Sequence, residues 1–148
     1  MNTTVYLFDG PHWEIDPTGP FDIFFQALPA LVPPEAIVCL SDGEWDDELK
    51  SFLQRHHETA PEGLICPSEF LDGAHFPATP EALNELVQIA DHHADPEIAM
   101  YVAVSLQSKQ ILEMFDATCD PFAVALSIPE ERVQKFCSLA GVQYRKRN

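Results

Sequence analysis

Apolar residues in the first 90 positions alternate between short continuous runs and stripes at helical spacing. Three runs predict short strands: residues 4–8, 36–40 and 63–66. Stripes with apolar residues three or four positions apart predict a helix after each run: residues 21–28, 46–57 and 79–90. Because alternating strands and helices are usually joined by crossover connections, this half is predicted to form a β-α-β-α-β-α unit with parallel strands.

The last third of the chain has a different pattern. Three apolar runs are separated only by short turns: residues 98–106, 110–116 and 122–127. Such runs are typical of an antiparallel meander. Val133, Phe136 and Cys137 then predict a final helix that ends at Gly141. We therefore expect residues 1–148 to form one α/β domain with a mixed sheet of about five or six strands and about four helices.

Length and composition narrow the class of protein. No apolar run approaches the roughly 20 residues that span a bilayer, and the N-terminus lacks the basic region of a secretory signal. The four cysteines are too far apart for a Cys-x-x-Cys pair: Cys39, Cys66, Cys119 and Cys137. We expect a soluble cytoplasmic protein with reduced thiols, no membrane contact, no metal and no cofactor.

Charge is the strongest global feature, with 24 acidic against 8 basic residues and a net charge of −16. Residues 1–131 hold all 24 acids and only three basic residues, whereas residues 132–148 hold five basic residues and no acid. An acidic body repels phosphate backbones, so direct nucleic-acid binding is not expected. It attracts basic proteins instead, unless its charge serves only solubility. The basic tail at residues 144–148 could fold back onto an acidic surface or stay mobile.

Two short stretches resemble each other: residues 9–13 read DGPHW and residues 42–45 read DGEW. If the first three strands were parallel, Asp9, His12, Asp42 and Cys66 would lie along one edge of the sheet. Open α/β sheets bind ligands at such an edge, so a metal- or thiol-dependent site could form there. The alternative is structural, because Asp-Gly makes tight turns and each tryptophan can fold back onto the core.

The second stretch continues into a concentrated run of acids, and we name residues 42–48 the acidic segment. Its five acids surround Trp45: Asp42, Glu44, Asp46, Asp47 and Glu48. Tryptophan beside carboxylates is a suitable anchor for an arginine-rich partner. The sequence therefore predicts the partner-binding site here, together with Trp13. Part of this charge would also serve the first turn of a helix, where the dipole favours acids.

Two pairs of adjacent histidines lie near predicted helix ends: His56–His57 and His92–His93. Neighbouring residues on a helix point about 100° apart, so one pair does not readily chelate a metal. Contact with the last carbonyls of each helix is the expected role. If the helices were parallel, both pairs would share a rim that could sense pH or bind metal.

Three functions remain open, because the sequence contains no Gly-x-Ser-x-Gly, His-Glu-x-x-His, Walker or Rossmann motif. The favoured hypothesis is a small acidic binding domain that occludes a basic partner such as a nuclease, as an inhibitor or toxin-immunity protein does. The second is a hydrolase with its site around Asp9, Asp42 and Cys66. The third is a self-associating structural or regulatory subunit. The first hypothesis expects a monomer or a weak dimer.

Overall fold

The computed structural model of the chain describes residues 6–59 and 73–148, and these form one sheet packed against helices. The strands are β1 His12–Ile15, β2 Ile37–Ser41, β3 Ala74–Pro77, β4 Tyr101–Leu106, β5 Lys109–Phe115, β6 Phe122–Ala125 and β7 Tyr144–Arg147. Their spatial order is β3-β2-β4-β5-β6-β1-β7, and every neighbouring pair is antiparallel.

Five helices accompany the sheet: α1 Phe21–Ala27, α2 Asp47–Arg55, α3 Pro80–Ala90, α4 Asp95–Ile98 and α5 Glu130–Ala140. Helix α1 contacts α3 and α5, and α2 contacts α3. Alternate strand residues such as Val38, Leu40, Val102 and Val104 join these helices in one core. The intervening Cys39, Tyr101 and Ala103 point to the opposite face, where they form a second, smaller cluster. No helix in the described ranges has the length and apolar character needed to cross a membrane.

The prediction of a parallel N-terminal half is wrong. The neighbours of β2 are β3 and β4, both antiparallel to it, while β1 lies at the far side of the sheet between β6 and β7. The helical stretches therefore do not act as crossovers between adjacent parallel strands. Within residues 6–59 and 73–148 there are also seven strands where five or six were expected, and five helices where four were expected.

The first strand was placed too early in the chain. Residues Leu7–Asp9 form a 3-10 turn, and the strand is the following His12–Ile15. The sequence pattern did not predict strands β3 and β7, because the four residues of each carry no apolar alternation long enough to stand out. The predicted strand at residues 63–66 lies outside the described residues.

The C-terminal meander is confirmed, since β4, β5 and β6 are consecutive antiparallel neighbours. The final helix is confirmed as well, with Val133, Phe136 and Cys137 buried. Gly141 ends it with a φ of 73°, the left-handed conformation that glycine adopts without a steric penalty. Helices α1, α2 and α3 also lie where the stripes predict them.

The edges of the described sheet are β3 and β7, and both discourage pairing with a second sheet. Strand β3 ends at Pro77, which has no backbone N–H to donate. Strand β7 carries three cations in four residues, Arg145, Lys146 and Arg147, which repel a like edge. These features give no support to self-association through strand addition.

Candidate partner-binding site

The acidic segment begins in the turn that follows β2. Asp42 has a φ of 59°, a left-handed conformation that aspartate tolerates better than most residues. Gly43 is required for close approach, because an added Cβ would lie 2.4 Å from both the Ile98 carbonyl oxygen and Trp45 Nε1. The Trp45 indole donates a hydrogen bond to that same carbonyl at 2.8 Å. This turn therefore fastens the acidic segment to the end of α4.

Helix α2 starts within the acidic segment. Asp46 is its N-cap, and the Asp46 carboxylate accepts a hydrogen bond from the backbone N–H of Leu49 at 3.0 Å. That bond, with a second one from His93, holds the pKa of Asp46 below its usual range. All five acidic side chains predicted for the site are exposed: Asp42, Glu44, Asp46, Asp47 and Glu48. Local helix capping thus uses one carboxylate and leaves the others at the surface.

The end of α3 packs beside the start of α2 and brings two histidines to the acids. His92 Nε2 lies 2.6 Å from a Glu48 carboxylate oxygen, and His93 Nε2 lies 2.7 Å from Asp46 Oδ2. We call Asp46, Glu48, His92 and His93 the histidine cluster. Burial opposes a charge on His93, but hydrogen bonds to Asp46 and to the Ile89 carbonyl outweigh it and raise the pKa of His93.

Helices α2 and α3 run antiparallel, so the two histidine pairs do not share a rim. At the other end of α2, His56 Nε2 lies 2.7 Å from Glu85 of α3, and Arg55 also pairs with Glu85. Hydrogen bonds from Arg55, and then from His56, hold the pKa of Glu85 below its usual range. The expected contact between imidazole and helix C-terminal carbonyls occurs at His93, whose Nδ1 lies 2.7 Å from the Ile89 carbonyl oxygen.

Trp13, the other predicted partner residue, lies in β1 and is half-buried. Its indole donates a hydrogen bond to the Ile128 carbonyl at 3.0 Å, and its ring packs edge-on against Tyr144. Strands β1 and β2 are separated by β4, β5 and β6, which places them roughly 19 Å apart. The two similar stretches are therefore not two sides of one cleft, and both tryptophans cover the core.

The edge predicted from parallel strands is not assembled. His12 starts β1 and Asp42 follows the end of β2, at opposite ends of strands that run in the same direction. Asp9 lies beside Phe8, Phe115 and Asp120. Cys66 lies outside the described residues. His12 Nδ1 bonds the Gly10 carbonyl at 2.8 Å, and its buried Nε2 has no hydrogen-bond partner in the structure as described.

The basic tail forms strand β7 and pairs with acids of strand β1 and its flank, but not with the acidic segment. Arg145 reaches Glu14 and Asp16, at 2.6 Å and 2.5 Å, and Arg147 reaches Glu14 at 3.0 Å. Hydrogen bonds from Arg147, and then from Arg145, lower the pKa of Glu14 despite its partial burial. These arginines neutralise acids of the β1 side and leave the acidic segment without their charge.

One buried carboxylate of the structure was not predicted from the sequence. Glu113 is fully buried in β5, where it accepts hydrogen bonds from the Leu7 backbone N–H and the Gln110 amide, both at 3.0 Å. Burial raises the pKa of Glu113 against the effect of these donors. A single acid inside the apolar run ILEMF is the signal that could have revealed it. Its contacts hold the Leu7–Asp9 turn against the sheet.

Comparison of the chain with protein-family models, with curated proteins and with solved structures finds no significant match.

Proposed function

We propose that the protein is an acidic binding domain that recruits and occludes a basic protein, as an inhibitor or toxin-immunity protein occludes a nuclease. The observation that carries the proposal is the acidic segment, where five exposed carboxylates lie within seven residues of chain. The surface for the partner consists of this segment and the exposed part of Trp45. The proposal places the protein in the cytoplasm.

The charge of the acidic segment is not matched by fixed cations. All eight lysines and arginines belong to the described residues, and the ion pairs seen there join Asp46 and Glu48 only to His92 and His93. Arg55, Arg145 and Arg147 pair with acids elsewhere. A surface of unmatched carboxylates produces a negative potential that accelerates encounter with a basic partner.

Trp45 gives the acidic segment an apolar contact. Its indole N–H is already bonded to Ile98, but the residue is only half-buried, and its ring lines an open groove with Lys50 and Leu53. An arginine side chain that enters this groove could stack on the indole while the carboxylate of Glu58, which also lines the groove, accepts its hydrogen bonds. This combination suits a basic protein surface better than a small uncharged ligand.

The hydrolase hypothesis has less support. Two residues of the predicted edge, His12 and Asp42, lie at opposite ends of their strands, and Cys39 and Cys137 are buried. Burial, together with the nearby Asp16, raises the pKa of Cys137 to about 11, so its reactive thiolate is scarce at neutral pH.

The test is a parallel capture experiment with three forms of the full chain. The patch variant combines Asp42→Asn, Glu44→Gln and Asp47→Asn, which removes three charges and keeps the histidine cluster and the Asp46 cap. The control variant combines Glu35→Gln, Glu81→Gln and Glu131→Gln, which removes three exposed charges elsewhere. Each form is used to capture proteins from host lysate at about 50 mM and about 500 mM salt.

We expect a basic protein that is captured in stoichiometric amount by the wild type and the control variant at low salt. Its capture should fall at high salt and fall again with the patch variant, because rim carboxylates act on encounter. Equal capture by the patch and control variants would contradict the proposed surface. Capture of no basic protein by any form would contradict the proposed function.

A further inference from the structure

The histidine cluster contains two histidines, His92 and His93, and this residue type commonly binds metals. They do not lie on a helical surface, as the expected angle of about 100° between them requires. Helix α3 ends at Ala90, so His92 and His93 lie beyond it in a turn and are not held 100° apart on a helical surface. Their rings approach to 4.7 Å between centroids, and both ring nitrogens Nε2 face the start of α2. The objection that adjacent histidines cannot share a ligand therefore does not apply here.

His93 is the fixed member of the cluster. Its side chain is only 5% exposed, and its Nδ1 lies 2.7 Å from the Ile89 carbonyl oxygen. Because a carbonyl only accepts hydrogen bonds, Nδ1 carries the hydrogen, and in a neutral ring Nε2 carries the lone pair. Metal-bound histidines are oriented in this same way, with the other ring nitrogen donating to a carbonyl or carboxylate.

The lone pair of His93 Nε2 faces carboxylate oxygens. Asp46 Oδ2 lies 2.7 Å away and Glu48 Oε1 lies 3.7 Å away, and each of these atoms has only lone pairs to offer. Two such atoms can be this close only with a proton between them, and a metal ion at the same site would replace that proton. His92 Nε2 meets Glu48 Oε1 in the same manner at 2.6 Å.

We propose that the histidine cluster binds one divalent metal ion of the zinc class. Its ligands are Nε2 of His92, Nε2 of His93 and a carboxylate oxygen of Glu48, whose ligand atoms lie within 4.8 Å of one another. Asp46 is the fourth donor. Two imidazole nitrogens with carboxylate oxygens form a donor set that suits zinc.

Only small side-chain movements are needed for a zinc ion to fit between these ligands. Tetrahedral zinc with bonds of about 2.1 Å separates its ligand atoms by roughly 3.4 Å. The contacts of 2.6 Å and 2.7 Å must therefore open when the ion replaces the protons. The side chains of Glu48 and His92 can make this adjustment, since they are 48% and 56% exposed, while His93 stays in place. The proposed zinc site does not require that the basic partner protein is bound.

The test measures zinc binding by the full chain after removal of metal with a chelator, using isothermal titration calorimetry and native mass spectrometry. The variants are His92→Gln and Glu48→Gln, whose side chains are exposed enough that the fold is retained, which circular dichroism checks. His57→Gln is the matched control, because His57 is the exposed member of the other histidine pair.

We expect the wild type and His57→Gln to bind one zinc ion with equal affinity. His92→Gln and Glu48→Gln should each weaken binding at least about tenfold, because even partners of metal ligands cost that much when removed. Nitrogen-15 shifts of His93 should show that zinc replaces the proton on Nε2 and leaves Nδ1 protonated. Unchanged binding by both cluster variants, loss of binding in His57→Gln, or no wild-type binding would overturn the proposal. The patch variant retains all four ligands, so failure here is separable from failure of the partner surface.

Discussion

The acidic segment and the β1–β7 edge are both charged, but their charges are satisfied in different ways. At the β1–β7 edge, Glu14 and Asp16 meet arginines that lie about 130 residues later in the chain. In the acidic segment, Asp46 and Glu48 meet only histidines, and the remaining acids are exposed. Local acidity therefore does not identify a binding surface, because a distant strand can neutralise it. Unmatched acidity is the more informative signal.

Each region also contains one tryptophan with the same kind of hydrogen bond, which allows a direct test. Trp13→Ala and Trp45→Ala should each lower the free energy of unfolding by about 2 to 3 kcal/mol, because packing is lost and an isoleucine carbonyl loses its donor. Trp→Phe at either position should cost about 1 kcal/mol. Urea denaturation measures these values. A neutral effect of Trp45→Ala would show that this indole does not stabilise the fold.

The next largest effect concerns Asp46, which caps α2 and also contacts His93. Asp46→Ala should lower the free energy of unfolding by about 1 to 2 kcal/mol, whereas Asp47→Asn, one position later, should change it by less than about 0.5 kcal/mol. Urea denaturation of the two variants under identical conditions checks the difference. Equal effects would mean that Asp46 and Asp47 contribute equally to stability. This result would contradict a special role of Asp46 as the cap of α2.

Removing the ion pairs between β1 and β7 should have a smaller, pH-dependent effect on the free energy of unfolding. Glu14→Gln removes the acceptor shared by Arg145 and Arg147 and should cost about 1 kcal/mol or less at pH 7. Because the pKa of Glu14 is lowered in the folded protein, its contribution is present above about pH 4.5 and disappears as pH falls through the folded pKa. Unfolding curves of wild type and variant should therefore converge once the pH lies below the folded pKa of Glu14. A constant difference across this range would show that the loss is not electrostatic.

Salt should produce the smallest effect and the clearest contrast between the regions. Raising NaCl from about 50 mM to about 500 mM should stabilise the wild type by about 0.5 kcal/mol, because it screens repulsion among unmatched acids. The patch variant should gain less from salt than the wild type does. Thermal unfolding at both salt concentrations measures the gain, and an undiminished gain in the patch variant would place the repulsion elsewhere.

Local sequence signals were sufficient for four of the five described helices, whereas the one-turn helix α4 was not predicted. Leu49, Phe52 and Leu53 form the buried stripe of the helix that was predicted over residues 46–57, because helical spacing is decided within a few residues. Strand pairing was not predictable in this way. The four residues of β1 pair with β6 and β7, more than 100 residues away, and no local pattern specifies those partners.

The sequence predicted which residues of the acidic segment form the candidate site. It did not predict which residues of other elements lie beside them. The exposed acids and Trp45 follow from the sequence, whereas the contacts of His92 and His93 with α2 depend on the antiparallel packing of two helices. The histidines also lie just past the helix end, where the helical rule used for them fails.

The most direct measurement is the association rate constant of the captured basic partner with wild type, patch variant and control variant at about 50 mM and about 500 mM salt. Unmatched acidity in the acidic segment predicts that the patch variant associates roughly tenfold more slowly at low salt, with a flatter salt dependence. The control variant should differ from wild type by less than about twofold. Equal slowing by both variants would show that only net charge matters and would contradict a specific surface at residues 42–48.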